Sequence, residues 1–261
     1  NFKAKLGQAP SEKEDTIDKD GQKLLENLRR SHKLLTEGVA TFPRQATFKG
    51  DEVISDYTEL CLVDNYLELE QQENSHFRRL GNILKDYPIY NEFLAGIRGV
   101  GPAMAGVIIS EMDIAKAEYP SSLHKYAGLD VASDGQGRSR RKEHLEDSQY
   151  TDADGEIKTK KGITFNPFLK TKLVGVLGSS FIKQPADKCK YRQVYDDYKH
   201  RIEHMDAHKE KSKGHRHNMA VRYMIKIFLI DLYNEWRRIE GLPVAPTYSE
   251  AKLGKVHGKA A

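Results

Sequence analysis

The sequence predicts a mainly α-helical protein, and three observations carry that prediction. Apolar residues recur at three- and four-residue steps over residues 53–84, the spacing that lines one face of a helix. Gly99-Val100-Gly101-Pro102 joins two apolar stretches, 89–97 and 102–115, in the manner of two helices and a tight turn. Residues 216–239 carry Met224, Ile225, Ile227, Phe228, Leu229, Leu232 and Trp236, apolar nearly all round, as a helix at the centre of a core would be. The expected architecture is a helical domain built on a helix-hairpin-helix, with a long coiled-coil-like helical arm and a small β-hairpin insertion.

Taken in order, residues 1–16 are polar and are expected to be disordered. Leu24, Leu25, Leu28, Leu34 and Leu35 predict an amphipathic helix over 17–40, closed by the break Thr41-Phe42-Pro43. A longer helix follows from Asp51 to Lys85, with Val53, Tyr57, Leu60, Val63 or Asp64, Leu67, Phe77, Leu80 and Leu84 on its stripe. That stripe suits either one arm of a coiled coil, pairing two copies of the chain, or packing within its own domain. Tyr87-Pro88 ends it. The division expected is a tail at 1–16, an arm at 17–88, a helix-hairpin-helix domain at 89–240 and a loose tail at 241–261.

In the hairpin, Gly99 and Gly101 suit a turn with positive φ and close backbone approach. Pro102 fits the first helical position, where its missing N–H costs nothing. The free amides beyond the turn and the helix dipole make a phosphate cradle from Arg98, Gly99, Val100 and Gly101. Such a module grips nucleic-acid backbones without reading bases. A short helix is expected over 121–127, with Ser121 or Ser122 as its cap. Periodicity then disappears from Val131 to Gly162, except for two short strands around Asp154-Gly155. Helices resume at Asn166-Pro167, running to about Ile182, then from about Ala186 to His208, then from Arg216 to Ile239.

Composition bounds the reading. The chain of 261 residues is 38% hydrophobic and 31% charged, and no apolar run is long enough to span a membrane. Its two cysteines, Cys61 and Cys189, form no Cys-x-x-Cys pair, which points to reduced thiols and a cytoplasmic protein. The start at Asn1 suggests a piece of a longer protein. Residues 1–90 hold 13 Lys/Arg against 16 Asp/Glu, a net −3, whereas residues 91–261 hold 29 against 22, a net +7. The basic excess therefore sits in the half that carries the hairpin, as binding to DNA requires.

Chemistry is expected in the loop 132–142. It sets Ser133 and Ser139 among glycines and the cations Arg138, Arg140, Arg141 and Lys142. A serine attacking a DNA phosphate needs that phosphate neutralised and held in line, which arginine does in bidentate fashion. Lys161, Lys170 and Lys172, around Gly162 and the following helix start, fit phosphate contacts, as do Arg222 and Lys226 on a shared helix face. His200, His204 and His208 stand four apart on one expected helical face, a zinc-like spacing, but no convincing fourth ligand follows and no metal site is expected. Tyr191, Tyr195 and Tyr198 read as core.

The glycine hairpin, the block Tyr126-Ala127-Gly128-Leu129, the glycine- and arginine-rich loop and the Lys161-Gly162 helix approach occur in an order that resembles the C-terminal domain of Piv-type insertion-sequence transposases. These are DEDD recombinases, among them the bridge-RNA-guided enzymes. The likeness covers residues 90–240 and extends to 162–172 and 215–223. It implies DNA transposition and recombination, with DNA as partner, a guide RNA in one branch, and a serine of this loop joined to the DNA end. Members show Ser-Ser-Gly where this chain has Gly135-Gln136-Gly137, so the nucleophile is expected to be Ser139, with Ser133, or no nucleophile in this loop, as the alternatives. The family's metal-binding acids lie in an N-terminal RNase-H-like domain, which residues 1–90 do not resemble. No cofactor is therefore expected in this chain itself, and Mg2+ only if it is joined to that domain. The rival readings are a non-catalytic nucleic-acid-binding module and a helix-hairpin-helix glycosylase; for the latter, Asp113 comes too soon after the turn.

Overall fold

The computed structural model describes residues 19–50 and 52–254. It is mainly helical, with one two-stranded antiparallel sheet among the described residues. The chain forms two compact units, Asn1–Arg79 and Leu80–Ala261. The tail expected to be disordered at 1–16 lies outside the described residues. No helix among those described is long and apolar enough to cross a membrane.

The first unit contains α1 (Lys19–Thr36) and most of α2 (Tyr57–Leu84). Leu28, Ile54, Leu60 and Val63 are buried together, with Leu24, Leu25, Leu35, Tyr66 and Leu67 packed around them. The alternative between Val63 and Asp64 is thereby resolved. Val63 enters the core, and Asp64 accepts from His32 Nε2 at 2.8 Å. Arg29 clamps Glu70 with two hydrogen bonds of 2.6 Å, the bidentate geometry that only a guanidinium offers. The expected stripe therefore divides. Leu60, Val63 and Leu67 serve the unit's own core, Tyr57 and Phe77 remain exposed, and Leu84 is buried in the second unit.

The second unit is built on α9. It comprises α3 (Pro88–Glu92), α4 (Pro102–Glu111), α5 (Pro120–Tyr126), β1 (Glu146–Thr151), β2 (Ile157–Gly162), α6 (Pro167–Lys170), α7 (Gly178–Lys183), α8 (Lys190–His204), α9 (Lys213–Ile239) and α10 (Tyr248–Leu253). Proline opens α3, α4, α5 and α6, each preceded by a residue in extended conformation. Met224, Ile225, Phe228, Leu229, Leu232 and Tyr233 of α9 are fully buried. Its polar end is anchored too: buried Arg237 donates to the carbonyls of Ile114 and Ala117, and Tyr233 Oη to that of Glu118. Asn166 caps α6, as expected, by accepting from Leu169 N–H at 3.0 Å, and donates to Glu111 at 2.6 Å.

Between α6 and α7 the helix is wound as π over Thr171–Leu177. The sequence explains the winding. Leu169, Leu173, Leu177 and Phe181 are all fully buried and follow one another at steps of four. In an α-helix such residues drift around the axis by about 40° per step. The wider π turn, with its i→i+5 bonds, keeps all four on one face.

Several expectations are corrected. The first hairpin helix is not continuous over 89–97: α3 ends at Glu92 and a 3-10 turn spans Leu94–Gly96. The second stops at Glu111, where Met112 is extended and Asp113 caps the 3-10 turn Ile114–Lys116. Ser121 and Ser122 lie inside α5, whose N-cap is Tyr119. His208 does not share a face with His200 and His204, because α8 ends at His204 and Met205 is extended. The tail past Gly241 is not loose over 247–254. Thr247 and Glu250 close a capping box on α10, and the Pro243 carbonyl accepts from Arg237.

Candidate functional site

Tyr126-Ala127-Gly128-Leu129 is the turn that launches the serine loop. Ala127 and Leu129 are fully buried, and Gly128 sits at φ +63°. A Cβ there would lie 2.5 Å from the Phe165 ring, so only glycine lets the chain pass. The loop then folds back on itself. Arg138 N–H donates to Asp130 O at 3.1 Å, Val131 bridges Gly137, and Ala132 N–H reaches Gln136 O at 2.8 Å. Gly135, at φ +76°, turns the tip.

This doubling back brings three side chains into line. Asp134, at the tip, accepts the Gln136 N–H at 2.8 Å through Oδ1 and meets His144 Nε2 at 2.9 Å through Oδ2. His144, ending the 3-10 turn Lys142–His144, is buried, its side chain only 1% exposed. Its Nδ1 stands 2.9 Å from Ser139 Oγ and accepts the Ser139 backbone N–H, also at 2.9 Å. Ser139 itself is half-buried. The hydrogen bond to His144 holds the Asp134 carboxyl below the usual carboxylate range, with the Gln136 amide as the next cause.

Cations surround this line in two groups. Arg138 is braced inward, donating through Nε to Asp130 at 2.8 Å and through a terminal nitrogen to Glu146 at 2.7 Å. Its first use is to staple the loop to the start of β1. Arg140, Arg141 and Lys142 are exposed, with Arg141 also donating to Gln136 at 3.0 Å. Behind the loop, Lys170 donates to the Arg138 carbonyl at 2.6 Å and lies 4.6 Å over the Phe165 ring. Burial and the nearby Arg222 push Lys170 down to about 8. Burial also lowers Lys226 and Arg222. Asp130 offsets the positive charge of all three, and its Oδ1 is buried without a hydrogen-bond partner among the described residues.

The remaining expected residues are placed as follows. Ser133 is exposed on the turn before Gly135. Lys161 is exposed on β2, opposite Asp147, and Lys172 lies 5.5 Å from the Phe168 ring. In the hairpin, Gly99 does take positive φ, at +96°, and its Cβ would meet Phe181 at 2.8 Å. Gly101 does not: its φ is −91° and a Cβ would meet nothing within 4 Å. The turn's inner side faces the core, with the Gly99 carbonyl accepting from Ser180 and the Arg98 carbonyl from Cys189 Sγ. Arg98 itself is exposed, Val100 is half-buried, and Gly101, Pro102 and Ala103 at the start of α4 are exposed. Lys170 and Phe181 mark opposite ends of the helical run 167–183, roughly 15 Å apart at helical rise. The hairpin and the serine loop are thus separate surfaces.

Tyr191 and Tyr195 are core residues, and Tyr198 stacks on Tyr223 at 4.0 Å. Sequence reasoning missed His144 and Asp134. Neither belongs to a periodic stretch, and only the loop's return brings them to Ser139. Among the described residues no three His, Cys, Asp or Glu side chains gather as ligands of a metal ion would. Comparison of the chain with protein-family models, curated proteins and solved structures finds no match.

Proposed function

We propose that this chain is the DNA-binding and serine-bearing part of a transposase or recombinase that moves an insertion sequence. The observation that carries the reading is Ser139, a half-exposed hydroxyl on a loop with three exposed cations, held at 2.9 Å from a buried imidazole. The likeness of residues 90–240 to Piv-type transposases supports it.

In this reading Arg140, Arg141 and Lys142 neutralise a DNA phosphodiester and hold it in line with Ser139 Oγ. Lys170 adds positive charge from behind the Arg138–Ser139 peptide. The exposed start of α4 contacts the backbone elsewhere through the amides of its first turn. Attack joins the serine to one strand end and frees the other strand end as a hydroxyl. The residues described do not fit the Mg2+ that the family likeness implies, and no step is routed through it. The exposed face of α2 offers the surface through which two copies would pair.

Two measurements test this. Fluorescence anisotropy with a labelled duplex should show sequence-independent binding that weakens steeply with salt. Replacing Arg140, Arg141 and Lys142 together by alanine should lower both the affinity and the salt slope, by about one unit of slope for each phosphate no longer neutralised. Equal affinity at low salt would remove the loop from DNA binding. A duplex with a sulfur-bridged phosphodiester, whose thiolate leaves readily, should form a covalent adduct that Ser139→Ala abolishes. An adduct that survives Ser139→Ala but not Ser133→Ala moves the role to Ser133. No adduct, with binding intact, would favour the non-catalytic binding module.

A further inference from the structure

The contacts of His144 fix its tautomer. A backbone N–H can only donate, so Nδ1, which receives the Ser139 amide at 2.9 Å, bears the lone pair. The ring proton must then sit on Nε2, where it is donated to Asp134 at 2.9 Å. Ser139 Oγ, also 2.9 Å from Nδ1, donates its own proton into that same lone pair and receives a long contact from the Arg141 amide at 3.4 Å. Aspartate, neutral imidazole and serine hydroxyl therefore stand in the order that general-base activation of an alcohol requires.

From this geometry we infer that His144 is the general base of Ser139 and that Asp134 is its positioning residue. The inference rests on the proposed role of Ser139 and adds the group that takes its proton. As Oγ forms its bond to phosphorus, the Oγ proton passes to Nδ1. The bond from phosphorus to the departing DNA oxygen breaks, and that oxygen leaves with the electron pair and takes a proton from water. In the reverse step a strand hydroxyl attacks the phosphoserine and gives its proton to water, the Oγ–P bond breaks, and His144 returns its proton to Oγ. Asp134 stabilises the imidazolium formed in between. The Ser139 amide, which opposes a proton on Nδ1, makes that charge transient. Burial of His144 keeps solvent from competing for the lone pair.

The same contacts would be seen if His144 only stapled the loop, so the test separates basicity from stapling. His144→Asn keeps an acceptor near the place of Nδ1 but has no basic nitrogen. The first probe is a fluorophosphonate, which needs no DNA: Oγ–P forms, P–F breaks, fluoride leaves, and the proton goes to the base. Mass spectrometry should find the parent modified at Ser139, with the rate about 100-fold lower in His144→Asn, the lower range for loss of a general base. The second probe is iodoacetamide on Ser139→Cys. With His144 present, alkylation should reach its midpoint at least one pH unit below that of Ser139→Cys with His144→Asn. Asp134, Arg141, Arg138 and Lys170, the charged groups around the pair, are common to both variants, so the difference belongs to His144. Asp134→Asn, on an exposed turn, should slow fluorophosphonate labelling about 10-fold and keeps the inference open to refutation if His144→Asn does not fold. Equal rates and equal midpoints would overturn it. His144-dependent labelling without any DNA adduct would leave the base standing and remove the joining of Ser139 to a DNA strand. A DNA adduct that forms as fast in His144→Asn as in the parent would do the opposite.

Discussion

Lys170 is the residue on which charge and burial meet most sharply. Its ammonium is held on the Arg138 carbonyl, and burial beside Arg222 lowers it from 10.5 to about 8. Between about pH 8 and 10.5 the unfolded chain keeps a proton on this lysine that the folded chain has lost, so stability rises with pH across that window. Below about pH 8 both states are charged, and the cost of burying the charge is borne in full. Thermal melts of the parent and of Lys170→Met, taken from pH 7.5 to 10, should show the parent gaining on the variant as pH rises. A difference that stays flat would mean that Lys170 is solvated as an ordinary surface lysine.

At the scale of elements, the hairpin turn separates two glycines that look alike in sequence. A side chain at Gly99 would have to adopt positive φ, costing about 1–2 kcal/mol. It would also push into Phe181, at about 1–3 kcal/mol for an overpacked core. Gly101 has ordinary φ and open space, so a side chain there should change stability by less than about 0.5 kcal/mol. It would instead lie over the exposed start of α4. Chemical denaturation should therefore find Gly99→Val strongly destabilised and Gly101→Val close to the parent, while anisotropy shows Gly101→Val weaker on DNA. Equal stability of the two variants would refute the packing of this turn.

The same scale shows what could be read from sequence. Proline at the first position of α4 and α6, the Asn166 cap and the Asp154-Gly155 turn of the hairpin are rules that operate within a few residues, and those elements were legible. The π winding was not, because the four-residue steps from Leu169 to Phe181 differ little from an α-helical stripe until burial shows that all four share one face. Ser139 stood out by the cations beside it. His144 and Asp134 lie ten residues apart in a stretch without period, and their pairing depends on the bridge between Val131 and Gly137.

For the whole molecule, the two units differ in what they can offer a partner. Residues 1–79 hold 12 Lys/Arg against 15 Asp/Glu, and residues 80–261, which carry the serine loop, hold 30 against 23. On α2, Leu62, Leu69 and Ile83 are exposed at 43%, 64% and 55%. They fall on a seven-residue repeat whose missing member is His76. A helix presents such a repeat along one line, which supplies one of the two apolar positions per heptad that a coiled-coil seam uses. The core of the first unit uses a different face, that of Leu60, Val63 and Leu67, and in the proposed dimer the exposed repeat meets a second copy of the chain. Under the proposed strand exchange, two DNA ends need two serines, which a dimer would supply. The full chain should therefore sediment as a dimer at micromolar concentration. Replacing Leu62, Leu69 and Ile83 together by lysine should give a monomer with unchanged helical circular dichroism, since none of the three is buried. The monomer should still bind a short duplex through its basic unit, but with lower affinity for a duplex long enough to engage two copies, because the second binding event is no longer intramolecular. A parent chain that sediments as a monomer throughout this range would show that the exposed repeat joins no second copy.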